Sequence, residues 1–156
     1  MKTAVIYYTF DGNCALVAGQ IKAILNADLY EVKLANLKKR KGFAKFVQGM
    51  MLMIKKPEPL PLSVDLSAYE LVILGAPVWG GSPASPLVSF INKTNISGKK
   101  IAFFCCHGGS IGKTFDKFKA LLPGNTISTS IDFKNPAREN NPKLKEDIAE
   151  WLNGIK

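Results

Sequence analysis

The chain has 156 residues, of which 47% are hydrophobic and 21% charged, so it fits one folded domain and is not a disordered chain. No stretch approaches the roughly 20 apolar residues that a membrane-spanning helix requires, and the first residues show no signal peptide. The three cysteines, among them the adjacent Cys105 and Cys106, form no C-x-x-C motif. We therefore expect a cytoplasmic protein without a disulfide framework.

The net charge of +9 is concentrated in one segment. Between Lys33 and Lys56 there are eight basic residues and no acidic residue, whereas the rest of the chain has 13 basic and 12 acidic residues. The basicity therefore belongs to one segment rather than to the fold, and we expect no nucleic-acid partner.

The first predicted strand, Thr3–Tyr8, leads into a polar loop and then into an amphipathic helix. Such a junction directs backbone N–H groups and a helix N-terminus at one spot, which suits a phosphate. An ordinary connecting loop, in which Asp11 or Asn13 caps the helix, is the alternative. The candidate phosphate-binding residues are Thr9, Phe10, Asp11, Gly12, Asn13 and Cys14.

Four further predicted strands alternate with helices, as in a parallel α/β sheet. The first, third and fourth strands are continuous apolar runs, as expected when helices cover both faces, whereas the second and fifth alternate like edge strands. This pattern predicts a three-layer, doubly wound, five-stranded parallel sheet in the order 2-1-3-4-5. Its ligand crevice would lie at the carboxyl ends of strands one and three. The four strands are Asp28–Leu34, Leu71–Ala76, Lys100–Cys106 and Thr126–Phe133.

A basic insert at about residues 35–62 separates the second and third strands of what we expect to be a single domain, 1–156. Its apolar residues, from Phe43 to Ile54, recur at helical spacing. The pattern favours a packed crossover helix with a solvated basic rim. A lid or docking surface beside the crevice is the alternative, because the insert leaves from the edge that holds the crevice. A helix lying on a membrane surface is a weaker alternative.

Two more loops border the predicted crevice. The loop Pro77–Ser82 contains Trp79, which either stacks on an aromatic ligand or packs on the core. The loop after the fourth strand nearly matches the phosphate motif G-x-x-x-x-G-K-[ST], but the first position is His107 instead of glycine. This histidine has no catalytic or metal-binding set around it, so we predict no catalytic residue and no metal site.

The first loop, the sequence Gly75-Ala76-Pro77-Val78-Trp79 and the sequence Phe103–Gly109 together resemble the flavodoxin family, specifically its short bacterial members. The resemblance covers essentially the whole chain and implies a flavodoxin-like fold with non-covalently bound FMN. It assigns Thr9, Gly12 and Asn13 to the 5′-phosphate and Trp79 to the flavin ring. The other flavin contacts that it implies are Pro77, Val78, Gly80, Gly81, Cys106, His107, Gly108 and Gly109.

Four features depart from the family pattern. Asp11 replaces a hydroxyl or neutral residue, Cys14 replaces a threonine, the third loop has no tyrosine, and the pI of about 9.5 contrasts with acidic flavodoxins. The resemblance implies an electron carrier that shuttles electrons between redox partners. An FMN-dependent NAD(P)H:quinone-type reductase of the same fold and a flavin-free interaction module are the alternatives.

The basic segment predicts the kind of partner. We expect a redox protein with an acidic surface, because opposite charges steer association. The residues that would attract it are Lys38, Lys39, Arg40, Lys41, Lys45, Lys55 and Lys56.

Overall fold

The computed structural model describes residues 1–35, 40–55 and 57–155. In this part of the chain, five strands form a parallel sheet in the order β2-β1-β3-β5-β6, and β4 pairs with β3. The strands are β1 (Thr3–Tyr7), β2 (Asp28–Glu31), β3 (Leu71–Trp79), β4 (Ser82–Pro83), β5 (Lys100–His107) and β6 (Thr126–Lys134). The helices are α1 (Asn13–Leu25), α2 (Gly42–Lys55), α3 (Ser85–Lys93), α4 (Thr114–Ala120), α5 (Pro136–Glu139) and α6 (Leu144–Asn153), with a 3₁₀ turn at Leu66–Ala68.

The order of the five parallel strands confirms the prediction, and burial explains it. Every residue of β1 and most of β3 and β5 are buried, whereas β2 and β6 are largely half-buried. Successive side chains of a strand point to opposite faces. Ile6 and Phe103 therefore share one apolar cluster with α3 and α4, while Val5 and Phe104 share another with α1 and α6. The fold is a three-layer, doubly wound α/β fold, as predicted.

The third predicted strand is longer than expected, and the chain after it forms a hairpin with a short additional strand. β3 runs on to Trp79, and β4 pairs with its end in antiparallel register, with Trp79 opposite Ser82. Between them, Gly80 and Gly81 have φ values of +57° and +67°, a conformation that favours glycine and allows a two-residue hairpin. The prediction of a simple loop over Pro77–Ser82 is therefore wrong, and the sheet gains a short sixth strand.

The second strand is shorter than predicted, ending at Glu31. The chain turns away there to meet the connector that follows α2: Leu34 pairs with Pro59, and the N–H of Leu60 donates to the carbonyl of Lys33 at 2.8 Å. Tyr30, Val32 and Leu34 nevertheless belong to or pack against one apolar cluster, which accounts for the alternating pattern that extended the predicted strand to Leu34.

The helix α2 does not pack into the core, so the prediction of a packed crossover helix is wrong. None of its residues is buried. The apolar spacing correctly indicated a helix, but it carried no information about which face meets the rest of the protein. Among the described residues, no helix has both the length and the hydrophobicity to cross a bilayer.

Candidate functional site

The candidate site lies at the carboxyl edge of β1, β3 and β5. The first crossover goes from β1 to β2 on one side, and the chain then returns to place β3 on the other side of β1. Doubly wound sheets bind ligands at this switch point. Three connections meet there, at the positions that the sequence indicated: the loop after β1 (first loop), the β3–β4 hairpin around Trp79 (second loop) and the loop after β5 (third loop).

Direct contacts join the three loops. The ring of Phe10, in the first loop, meets Trp79 edge to face with 5.6 Å between the centroids. Gly112, in the third loop, lies so close to Gly81, in the second, that a Cβ on Gly112 would stand 2.6 Å from the Cα of Gly81. The second loop is thus held between the other two, and its position depends on both. Gly112 was not among the predicted site residues, because only the close approach reveals its role.

Two side chains of the first loop accept hydrogen bonds from backbone N–H groups of the same loop. The N–H of Gly12 donates to the Thr9 hydroxyl at 3.1 Å, and the N–H of Asn13 donates to the Asp11 carboxylate at 3.2 Å. Asp11 itself is exposed. Gly12 has φ of +95°, and, apart from Gly12 itself and its two neighbours in the chain, no atom lies within 4 Å of the point where a Cβ would stand. The start of α1 is therefore open, and an acidic side chain accepts one of its N–H groups.

Two predicted site residues of this loop turn their side chains into the protein. The amide oxygen of Asn13 accepts the N–H of Ala137, in α5, at 2.8 Å. Cys14 is fully buried, and burial together with the neighbouring Cys106 thiol raises the pKa of its own thiol well above the usual range. These two side chains anchor the loop, so only their backbone groups face the open start of α1.

The second loop presents an aromatic surface. Trp79 is half-buried and also meets Tyr8 edge to face, with 5.8 Å between centroids. Tyr8 is buried, and its hydroxyl has no hydrogen-bond partner in the described part of the chain. Burial, followed by the nearby Asp11 and Glu31 carboxylates, raises the pKa of this hydroxyl. Tyr8 was predicted to end the first strand and to begin the flavodoxin-like motif, but not to be a site residue, since nothing in the apolar run distinguishes its hydroxyl.

The third loop begins where β5 meets β6. The Nε2 atom of His107 lies 2.9 Å from the carboxylate of Asp132, and the carbonyl of His107 accepts the N–H of Asn135 at 2.9 Å. Gly108 and Gly109 are exposed. His107 is thus tied to the outer strand, and the backbone of the two glycines is the accessible part of the loop. The alternation of the fifth predicted strand identified Asp132 as a polar position, but it gave no indication that Asp132 would contact His107.

The remaining predicted residues divide between core and rim. Pro77 and Cys106 are buried, Val78 is half-buried, and Gly80 is exposed beside the methyl group of Met53, in α2.

A groove of about 360 Å³ runs along Trp79 and Gly80 between Met53 and α3. A separate cavity of about 590 Å³ lies between β6, the outer strand, and α6, and its lining includes Asp132, the partner of His107. Within the described residues, no group of three or more histidine, cysteine or acidic side chains is arranged to hold a metal ion.

These features define a doubly wound α/β protein with a loop-lined site at the switch point of its sheet. A family model described as flavodoxin matches residues 2–155. The chain therefore belongs to the flavodoxin family, as the three motifs indicated. No curated protein matches the sequence.

Several solved structures share the fold. A flavoprotein from Lactobacillus acidophilus, crystallised in complex with FMN, is 22% identical, with a TM-score of 0.72 and 97% of this chain and 98% of that one covered. A candidate flavoprotein from Bacteroides eggerthii is 22% identical, with a TM-score of 0.78 and coverage of 99% and 97%. Flavodoxin 2 from Bacillus cereus is 17% identical, with a TM-score of 0.64 and coverage of 99% and 97%. At these identities the similarity establishes the fold.

Proposed function

We propose that the protein binds FMN without a covalent bond at the switch-point site and carries electrons between redox partners. The observation that carries this proposal is the meeting of three loops at that site, with an open helix start on one side and the half-buried ring of Trp79 on the other. Family membership and the FMN complex of the Lactobacillus acidophilus flavoprotein support the choice of ligand.

The first loop fits a phosphate. Its glycine leaves the start of α1 open, the helix dipole favours an anion there, and the first turn of α1 contains no acidic residue. The Thr9 hydroxyl and the N–H groups of Gly12 and Asn13 would hold the phosphate. The two N–H groups, which now donate to the Thr9 hydroxyl and the Asp11 carboxylate, would then donate to phosphate oxygens instead. The Asp11 carboxylate would turn towards water.

The other two loops fit a flat ring system. Trp79 is exposed enough to offer ring surface to the isoalloxazine, while the backbone of His107, Gly108 and Gly109 approaches the same crevice. When bound, FMN supplies the redox chemistry, and the protein supplies orientation, hydrogen bonds and protection from water.

We include in this proposal a redox partner with an acidic surface. Arg40, Lys41 and Lys55 are exposed and Lys45 is half-buried, and α2 lies beside Phe10 and Gly80, so these charges are close to the site. Lys38, Lys39 and Lys56, predicted for the same role, lie outside the described residues. A cytoplasmic location is also part of the proposal, and the three free, buried cysteines are consistent with it.

An absorbance titration tests the proposal. The purified protein should show flavin bands, or acquire them stoichiometrically when FMN is added. A protein that stays colourless and takes up no FMN would establish the flavin-free module instead. Steady consumption of NAD(P)H with a quinone by the pure flavoprotein would establish the reductase rather than the carrier.

Replacing Trp79 tests the ring site. We expect Trp79→Ala to weaken FMN binding about tenfold or more, because it removes the aromatic surface against the flavin. Trp79→Phe should keep most of the affinity, and fluorescence quenching of FMN measures both. An affinity of Trp79→Ala equal to that of the original protein would show that Trp79 only packs on the core.

A further inference from the structure

The helix α2 turns a narrow face of mixed polarity towards the protein and its broad apolar face towards solvent. Its half-buried residues recur at the spacing of one helix face, i, i+3, i+4 and i+7, and they are Lys45, Gln48, Gly49 and Leu52. The opposite face is exposed and apolar: Phe43 is 80% exposed, Phe46 63% and Ile54 78%, and Val47, Met50, Met51 and Met53 lie beside them. A surface helix in a soluble domain normally has the reverse orientation.

Specific contacts fix this orientation. Gly49 faces the ring of Phe10, where a Cβ would stand 3.5 Å from the ring edge, and the ammonium group of Lys45 lies 5.2 Å from the centre of the same ring. The hydroxyl of Ser85 donates to the carbonyl of Leu52 at 2.8 Å. The inner face of α2 is therefore bound to the first loop and to α3, and its apolar face is left outside.

These seven apolar side chains, with Met53 at the edge of the face against Gly80, form a surface that soluble monomers rarely leave in contact with water. Such a face indicates an interaction site, and the charges around it restrict the kind of surface that could cover it. Arg40 and Lys41 precede the helix, Lys55 ends it, and there is no acidic residue between Lys33 and Lys56. A second copy would bring the same positive charges face to face, which opposes self-association.

We propose that the exposed face of α2 lies on an anionic lipid bilayer, with its apolar side chains inserted and its basic ends at the headgroups. A bilayer offers an apolar layer beneath a negative surface, so it matches both properties of this face at once. An acidic protein would match the charge, but it would also need a large exposed apolar patch of its own. The basic residues still attract an acidic partner at a distance, since steering requires no contact.

The dimensions of α2 agree with a position in the plane of the interface. Its 14 residues make a helix roughly 21 Å long, too short to cross the hydrocarbon layer. The stacked rings of Phe43 and Phe46, 6.3 Å apart, stand at the outer face near the start of the helix, next to the basic residues that precede it. Inserting these rings would place the three-loop site close to the membrane surface, because α2 contacts Phe10 directly.

Sedimentation of the full chain with large vesicles tests the proposal. We expect binding to vesicles of phosphatidylcholine with about 30% phosphatidylglycerol and much weaker binding to phosphatidylcholine alone. The double variant Phe43→Ser/Phe46→Ser should bind the anionic vesicles about tenfold less, because it removes the two most prominent inserted rings. Both residues are exposed, so thermal unfolding should show the fold unchanged, and the single variant Phe43→Ser repeats the test with a smaller change.

Leu16→Ser is the matched control, since Leu16 is an exposed apolar residue on α1, outside this face. It should bind the vesicles as the original protein does. Insertion is measured separately with brominated lipids: they should quench the added fluorescence of Phe46→Trp but not that of Leu16→Trp.

Three results would overturn the proposal. The first is no binding to anionic vesicles, including the case in which only an acidic protein binds the α2 face. The second is undiminished binding by Phe43→Ser/Phe46→Ser, which would indicate adsorption by charge alone. The third is a dimer in sedimentation equilibrium that this variant abolishes, without vesicle binding. The inference does not depend on the flavin, so the same binding is expected with and without added FMN.

Discussion

At the scale of single residues, the hydroxyl groups of Tyr8 and Tyr69 have opposite hydrogen-bonding circumstances. Tyr8 is buried and its hydroxyl has no partner among the described residues. The Tyr69 hydroxyl donates to the Asp28 carboxylate at 2.7 Å and lies 2.7 Å from the Tyr30 hydroxyl. A buried polar group without a partner costs free energy, whereas a hydrogen bond to a charged group stabilises the fold.

We expect the two phenylalanine variants to change stability in opposite directions. Tyr8→Phe should raise the free energy of unfolding by about 1 kcal/mol, and Tyr69→Phe should lower it by about 1–2 kcal/mol. Urea unfolding measures both. If Tyr8→Phe is destabilised as much as Tyr69→Phe, the Tyr8 hydroxyl has a partner that the structure does not show.

The same pair predicts the response to alkaline pH. Burial raises the pKa of Tyr8, and hydrogen bonds with Tyr30 and Asp28 raise that of Tyr69, above the usual 10.0. Above this pH the unfolded chain loses phenolic protons that the folded chain keeps, so the free energy of unfolding should fall as pH rises. The fall should be less steep in each phenylalanine variant, as measured by urea unfolding between about pH 8 and 11.

The position of Asp11 gives a prediction about the phosphate site. Its carboxylate accepts the Asn13 N–H, and it would repel a phosphate dianion at the same place. Asp11→Asn keeps an oxygen for that N–H and removes the charge, so FMN should bind about fivefold more tightly. The gain should shrink at high salt. Glu146→Gln, an exposed change on α6, is the control, and an unchanged dissociation constant for Asp11→Asn would contradict the expectation.

At the scale of helices and strands, the close approach of Gly112 to Gly81 sets the spacing of the second and third loops. Gly112 and Gly124 both have positive φ, of +53° and +77°, but a Cβ on Gly124 would meet only the Ser97 hydroxyl, at 3.5 Å. Alanine at either position is strained by about 1 kcal/mol. Only Gly112→Ala adds a clash with backbone.

We therefore expect Gly112→Ala to destabilise the protein by about 1–2 kcal/mol more than Gly124→Ala does. It should also weaken FMN binding, since the two loops must move apart. Urea unfolding and FMN titration of the two variants provide the comparison. Equal losses in both would mean that the two loops adjust without cost.

The strands and loops also show which parts of the fold and of the candidate site could be predicted from the sequence. Continuous and alternating strands predicted the sheet order correctly. A strand that is buried on both faces is apolar throughout, whereas a strand that is buried on one face alternates between apolar and polar residues. The β3–β4 hairpin was missed because Pro77 and Pro83 disfavour strands, while Gly80 and Gly81 suggest only a turn. The site loops followed from the order of the strands, but the contacts of Asn13 and Cys14 did not, since both depend on residues distant in the chain.

At the scale of the whole molecule, the net charge of +9 gives the protein a long-range field. We expect electron transfer with an acidic redox protein, such as a plant-type ferredoxin, to slow about tenfold as the salt concentration rises from about 50 to 500 mM. Stopped-flow absorbance of the flavin measures the rate. Reduction by a neutral hydroquinone is the control and should not change, and a salt-independent rate with ferredoxin would exclude steering.

The hydrogen bond from Ala137 to Asn13 joins residues 124 positions apart. During synthesis, β1 and α1 leave the ribosome long before α5, so their connecting loop receives this support only when α5 has emerged and docked. Closing so long a loop is entropically costly and slow. The first loop thus follows the first strand but is completed by a helix 124 positions later, so a ligand held there would report that nearly the entire fold has formed.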